Sequence, residues 1–182
     1  MTTAVLSLGS NMGDRLALLQ SAVDGLGSSV CAVSGIYETQ PWGGVDQGRF
    51  LNAVLIADDP AADAHVWLAR AHQLERAAQR VRVQRWGPRT LDVDVISCRD
   101  AQGVELLSND DHLTLPHPRA HLRAFVLVPW LVVEPDAKLT IGGCQREVSG
   151  LLGELPLADR AGVRLTELNL QPREWTIQAG DF

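Results

Sequence analysis

The chain has 182 residues, 46% of them hydrophobic and 21% charged, with a formal net charge of -6 and a pI near 5.3. That is the composition of one globular core, which at this length buries roughly 70% of the surface its unfolded form exposes and needs no disulfide or structural metal. The negative charge argues against a protein that coats nucleic acid with a broad basic face. The first nine residues carry no basic region and no apolar run of signal or membrane-span length, so a cytoplasmic location with no membrane partner is expected.

In chain order, Ala4 to Gly9 reads as a short buried strand that Gly9-Ser10-Asn11 breaks. Gly9 to Gly13 is taken as strand-to-helix punctuation, since it has neither the lysine of a P-loop nor the G-x-G-x-x-G of a dinucleotide fold. Leu16, Leu19, Val23 and Leu26 recur at helical spacing, with Asn11 or Asp14 to cap the start and Gly25 or Gly27 to end it. Val30 to Thr39 and Phe50 to Ala57 read as two strands joined by a glycine-rich loop, Gln40 to Arg49, long enough to suggest function.

Asp58-Asp59-Pro60 reads as the cap and first turn of a second helix whose apolar face is Trp67, Ala71, Leu74 and Ala78. Leu91 to Ile96 is a strand with strict alternation, and Val104 to Leu107 can pair nearby. Arg123 to Val133 is apolar and predicts a helix that starts or bends at Pro129. The order strand, helix, strand, strand, helix, strand predicts an α+β fold, a ferredoxin-like βαββαβ sandwich with a four-stranded, mainly antiparallel sheet and additional C-terminal elements. One domain over residues 1–170, with a loosely held tail over 171–182, is the expected organisation.

Chemistry concentrates between the second helix and the strand after it. Arg76, Arg80, Arg82, Arg85 and Arg89 fall within fourteen residues of a chain that has a single lysine, Lys138. Guanidinium forks suit phosphate oxygens, so a small polyanion is the expected partner. Immediately downstream, Asp92 and Asp94 alternate with core residues and project from one strand face with Cα atoms about 6.5 Å apart. Two carboxylates side by side repel, and a hard divalent cation such as magnesium relieves that repulsion. Loss of either acid should therefore leave stability untouched. Acids for magnesium beside arginines for phosphate are the parts of a phosphoryl-transfer site. The three cysteines, Cys31, Cys98 and Cys144, are far apart, lack C-x-x-C spacing, and read as reduced bystanders.

The stretch R-W-G-P-R-T-L-D-V-D-V from Arg85 resembles the signature of the 6-hydroxymethyl-7,8-dihydropterin pyrophosphokinase family. Three other stretches are similar to that family in order: L-G-S-N-M-G-D-R from Leu8, P-W-G-G-V-D-Q-G-R-F-L-N from Pro41, and L-T-L-P-H-P-R-A-H-L-R-A-F-V-L-V-P from Leu113. The resemblance implies ATP as co-substrate, two magnesium ions, and release of AMP. It implies Asp92 and Asp94 as metal ligands and, with Arg80 and Arg89, as the catalytic set. Arg80, Arg82, Arg89, Thr114, His117 and Arg123 match positions that bind the triphosphate nucleotide. Thr39, Pro41, Trp42, Gly43, Phe50, Asn52, Trp86 and Phe125 match the pterin side, with Phe50 and Phe125 stacking on the ring, Asn52 and Thr39 at its edge, and Trp42 and Trp86 as lids.

Gln79 stands where that family usually has glycine, Gly48 where it often has proline, and Leu122 where it often has a polar residue. Glu75 reads as a solvated helix residue paired with an arginine, and residues 136–182 carry no motif. Only small-molecule substrates are expected as partners, and the chain is expected to act as a monomer. Two competing readings use the same features. An RNA-binding module on this scaffold would want aromatics on a basic sheet, whereas aromatics are 5% of this chain. A two-metal nuclease or nucleotidyl transferase would release AMP from ATP without pterin.

Overall fold

The computed structural model describes residues 2–41, 47–79 and 90–172. Strand β1 (Thr2–Ser10) runs through the middle of a sheet, followed by helix α1 (Arg15–Leu26), strands β2 (Val30–Val33), β3 (Tyr37–Thr39) and β4 (Phe50–Asp59), helix α2 (Ala64–Ala77) and strand β5 (Asp92–Asp100). Then come a short hairpin, β6 (Ser108–Asn109) and β7 (Thr114–Leu115), helix α3 (Ala124–Val133), a second hairpin, β8 (Lys138–Ile141) and β9 (Cys144–Glu147), helices α4 (Val148–Glu154) and α5 (Leu157–Ala161), and strand β10 (Arg164–Leu165). The main sheet has six strands in the order β10-β3-β4-β1-β5, with β2 also on β4, and its ladders are antiparallel.

The predicted α+β order holds, but the sheet has six strands where four are expected, for two physical reasons. The single strand expected over Val30 to Thr39 breaks at Ser34, whose hydroxyl accepts the Val54 N–H at 3.0 Å in place of a backbone carbonyl. The sixth strand comes from the motif-free C-terminal region, where β10 pairs Arg164 with Glu38 and Leu165 with Tyr37. Gly35 permits this approach, since a Cβ there would lie 2.8 Å from Leu165 Cδ1.

Alternation along the strands divides the core. Leu51, Ala53, Leu55 and Ala57 of β4, with Leu91, Val93 and Val95, pack against α1 and α2. Val5, Val54 and Ile96 face the opposite way, under α3, α4 and the β8–β9 hairpin. Helix α3 and the C-terminal elements thus cover this face except at the end that carries Asp92 and Asp94. Residue 171, placed in the tail by the sequence, is tied down: Gln20 and Gln171 exchange two hydrogen bonds, at 2.8 and 3.0 Å.

Helix ends follow local chemistry. Asp14 caps α1 by accepting the Ala17 N–H, and Gly27 ends it with φ 54°. The cap of α2 is Asp63, not Asp58 or Asp59, because β4 runs on through Asp59 and Pro60 lies in a turn before the helix. Helix α3 starts at Ala124 and continues through Pro129, five residues earlier than a start at the proline.

Just past the end of α2, Gln79 has φ 54°, the left-handed conformation that favours glycine. That explains the glycine usual at this position in the resembling family. Gln79→Gly is expected to raise stability by about 0.5–1 kcal/mol, relief of the side-chain clash exceeding the added unfolded-chain entropy. The check is a higher urea midpoint at unchanged m-value; a lower midpoint would show that the Gln79 side chain holds the helix end.

Candidate active site

Alternation in β5 places Asp92 and Asp94 on the face turned toward α3, half-exposed, while Leu91, Val93 and Val95 enter the core beneath α2. This is the arrangement the spacing predicts. Register then decides their neighbours: in β1, Gly9 lies opposite Asp92 of β5 on one side and Asn52 of β4 on the other. The metal-binding candidate and the ring-edge candidate are therefore two strands apart on one face. Asn52 is buried and donates to Thr39 Oγ1 at 2.8 Å, which fixes its amide. Phe50, one pleat further along β4, lies beside it, with Cδ1 3.7 Å from where a Cβ on Gly9 would sit.

The loop between β7 and α3 supplies the cations. Arg123 is nine-tenths buried and donates to Asp94 Oδ2 at 2.8 Å, with its guanidinium carbon 5.7 Å from the centre of the Phe125 ring. Asp94 is thus neutralised by a buried guanidinium, which corrects the expectation that both acids sit in mutual repulsion. His117 Nε2 lies 3.9 Å from the same carboxylate oxygen. Its Nδ1 accepts the Arg119 N–H at 3.2 Å, so the neutral ring carries its proton on Nε2, toward the acids.

Burial pushes the His117 pKa below its ordinary value, and the Asp94 charge only partly opposes this. Folding therefore favours neutral His117, and the unfolded chain takes up a proton more readily as pH falls through 6.5. The stability tied to this residue is complete above that pH and is lost as pH falls toward the depressed folded value. Melting temperatures between pH 8 and 5 should fall less steeply for His117→Gln than for the natural chain; equal slopes would show that His117 does not carry the titration.

Two clefts flank this centre. One, of about 170 Å³, is lined by Leu68, His72, Glu75, Asp94, Thr114 and His117. It brings together three predicted residues, Asp94, Thr114 and His117, and adds a face of α2 that the sequence reading missed. Glu75 is a correction: it is 5% exposed rather than solvated, and its carboxylate accepts the Val93 N–H at 3.1 Å, between the two acids. The spacing of Leu68, His72 and Glu75 on one helix face is the signal that could have found this wall. The other cleft, of about 180 Å³, is lined by Thr39, Pro41, Leu122 and Phe125 together with Asp159 and Val163. Its far wall, α5 and the residues after it, belongs to the motif-free region.

The base of the Gln40 to Arg49 loop is held by the opening motif. Asn11 donates to Gln47 Oε1 at 3.0 Å and to the Gly48 carbonyl at 3.1 Å. Arg15 donates to the Arg49 carbonyl, and both arginines pair with Glu38, whose carboxyl they hold below the usual range, Arg49 most strongly. Arg80, Arg82, Arg89, Trp42, Gly43 and Trp86 lie outside the described residues. Of the cysteines, Cys98 is buried with its thiol pushed up to about 12 by desolvation, which makes it inert as a nucleophile.

One end of an antiparallel α+β sheet thus gathers an acid pair, a buried arginine and two phenylalanine rings. The fold of Plasmodium falciparum HPPK-DHPS is similar: it aligns over 84% of this chain and 44% of its own, with TM-score 0.61 and 14% identity. This chain spans less than half the length of that structure. The profile of the 7,8-dihydro-6-hydroxymethylpterin-pyrophosphokinase family matches residues 5–135, and the chain belongs to that family. The 2-amino-4-hydroxy-6-hydroxymethyldihydropteridine pyrophosphokinase of Mycobacterium tuberculosis is 61% identical over 169 residues, 91% of this chain and 90% of that protein. The protein of the same name from Methylorubrum extorquens is 46% identical over 147 residues, 79% of this chain and 88% of that one.

Proposed function

We infer that this chain is a pyrophosphokinase of folate biosynthesis, which moves the terminal diphosphate of ATP onto the hydroxymethyl group of 6-hydroxymethyl-7,8-dihydropterin and releases AMP. The observation that carries the reading is the register across β1, which sets an acid of the D-x-D pair two strands from the buried Asn52 amide.

The residues present fit magnesium. Among the described residues no group of three or more His, Cys, Asp and Glu side chains could hold a metal. A pair of carboxylates suits an ion that keeps waters and takes phosphate oxygens as its other ligands. Asp92 and Asp94 would hold it, and in this reading two ions are bound. Bound magnesium would neutralise phosphate charge and align the reacting groups.

The chain's own groups do the rest. The cleft beneath Leu68, His72 and Thr114 takes the nucleotide, with the Nε2–H of His117 and the Arg123 guanidinium turned toward phosphate oxygens. Arg80, Arg82 and Arg89 add charge for the triphosphate. Phe50 and Phe125 stack on the pterin while Asn52, held by Thr39, reads its edge. Positioning supplies most of the catalysis, because a loose phosphoryl-transfer transition state asks little covalent chemistry of the protein. A monomeric working unit is part of the proposal. No helix among the described residues is long and apolar enough to cross a membrane; a cytoplasmic site of action, where ATP is abundant, is part of the proposal.

The test is AMP release from ATP and magnesium with and without the hydroxymethyl pterin. The reading requires release that depends on the pterin; equal release from ATP alone would favour a hydrolase or nuclease using the same acids.

A further inference from the structure

We propose that Gly9 is a specificity-determining residue: its bare Cα is the floor over which the substrate's one-carbon arm passes from the ring slot to the acid pair. This inference rests on the proposed function. Gly9 lies between Asn52 and Asp92 in the sheet, and a Cβ built on it would meet Asn52 Oδ1 at 3.3 Å, Phe50 Cδ1 at 3.7 Å and Asp92 Cβ at 3.9 Å. One methyl group would therefore stand among the ring-edge reader, a stacking ring and a metal-binding carboxylate. Asn52 has little room to yield, because it is 3% exposed and tethered to Thr39.

The backbone gives no other reason for glycine here. Glycine inside a strand weakens it and marks a bulge, a bend or a close approach by a ligand. Gly9 pairs on both sides, has none of the positive φ seen at Gly13 and Gly27, and the irregularity between β1 and β5 falls at Val5/Leu6 instead. Close approach remains, by the Asn52 amide and, in this proposal, by a ligand lying against it. With three side chains within 3.9 Å of that Cβ position, the floor suits an unbranched substituent on the pterin.

Gly9→Ala tests this directly. If glycine were only punctuation, alanine would be harmless, being the better strand residue. The proposal expects kcat/KM for the hydroxymethyl pterin to fall by about 100-fold, the cost of a misplaced reacting group. Binding of magnesium with a non-hydrolysable ATP analogue should change by less than about threefold, and binding of 7,8-dihydropterin without a 6-substituent should fall far less than kcat/KM does. Retained kcat/KM overturns the proposal, as does equal loss of both pterins, which would mean collapse of the ring slot. Should Gly9→Ala not fold, the natural chain is titrated with 7,8-dihydropterins bearing 6-methyl and 6-isopropyl groups. The floor requires the branched compound to bind at least about 30-fold more weakly, roughly 2 kcal/mol by RT ln K; similar affinities overturn it. Failure of the functional reading is separate, since it appears as absence of pterin-dependent AMP release in the unmutated chain.

Discussion

Replacing Asp92 or Asp94 by alanine is expected to abolish turnover, and Asp94→Ala should also lower stability. Each carboxylate supplies charge that a hard cation and the transferring phosphate need, so retention of more than about a tenth of the natural rate, only ~1.4 kcal/mol of barrier, would refute the metal-binding role. Asp94 also pairs with Arg123, whose side chain is 10% exposed against 31% for Asp94. Taking away that carboxylate deprives a buried guanidinium of an ionic partner. The cost is about 2 kcal/mol, below the range for fully buried pairs because Asp94 reaches solvent. For a chain of this size that corresponds to a drop of roughly 4–8 °C in melting temperature for Asp94→Ala. An Asp94→Ala melting temperature equal to that of the natural chain would show that the Arg123 pair contributes little.

Phe125→Ala should weaken pterin binding by about 100-fold, combining lost ring area with lost stacking, close to 2.7 kcal/mol. Binding of an ATP analogue with magnesium is the control and should change by less than about threefold. The ring also sits under the Arg123 guanidinium, so a modest loss on the nucleotide side is expected, in step with a weaker hold on that cation. Calorimetry with each ligand separates the outcomes. Equal loss of both would make Phe125 an ordinary packing residue, where truncation costs roughly 3–5 kcal/mol of stability.

Much of the site was legible because it depends on period. Strand alternation alone turns Asp92 and Asp94 to one face and Val93 to the other, and β5 does so. Helical spacing found α1 and α2, and the caps erred only where two acid-rich candidates compete, Asp58 or Asp59 against Asp63. What stayed hidden depends on contacts distant in sequence. The break at Ser34 needs the Val54 N–H twenty residues away. The cleft wall at Asp159 and Val163 is built by a five-residue helix and the turn after it, too short for any periodic signal. Glu75 reads from sequence as a solvated partner for an arginine; its burial is set by β5, which arrives only after the arginine segment.

The sixth strand has a consequence for how the molecule is made. Arg164 pairs with Glu38, and Gln171 with Gln20, a separation of 151 residues in the latter case. A chain leaving the ribosome would therefore display every family motif while β3 was still an open sheet edge and the face holding Val5, Val54 and Ile96 was incompletely covered. Contacts of such long range form late, and unpaired edges recruit neighbouring chains. Shortened versions that end where the family match ends should therefore come out of cells as aggregates, although they retain every residue proposed for the chemistry.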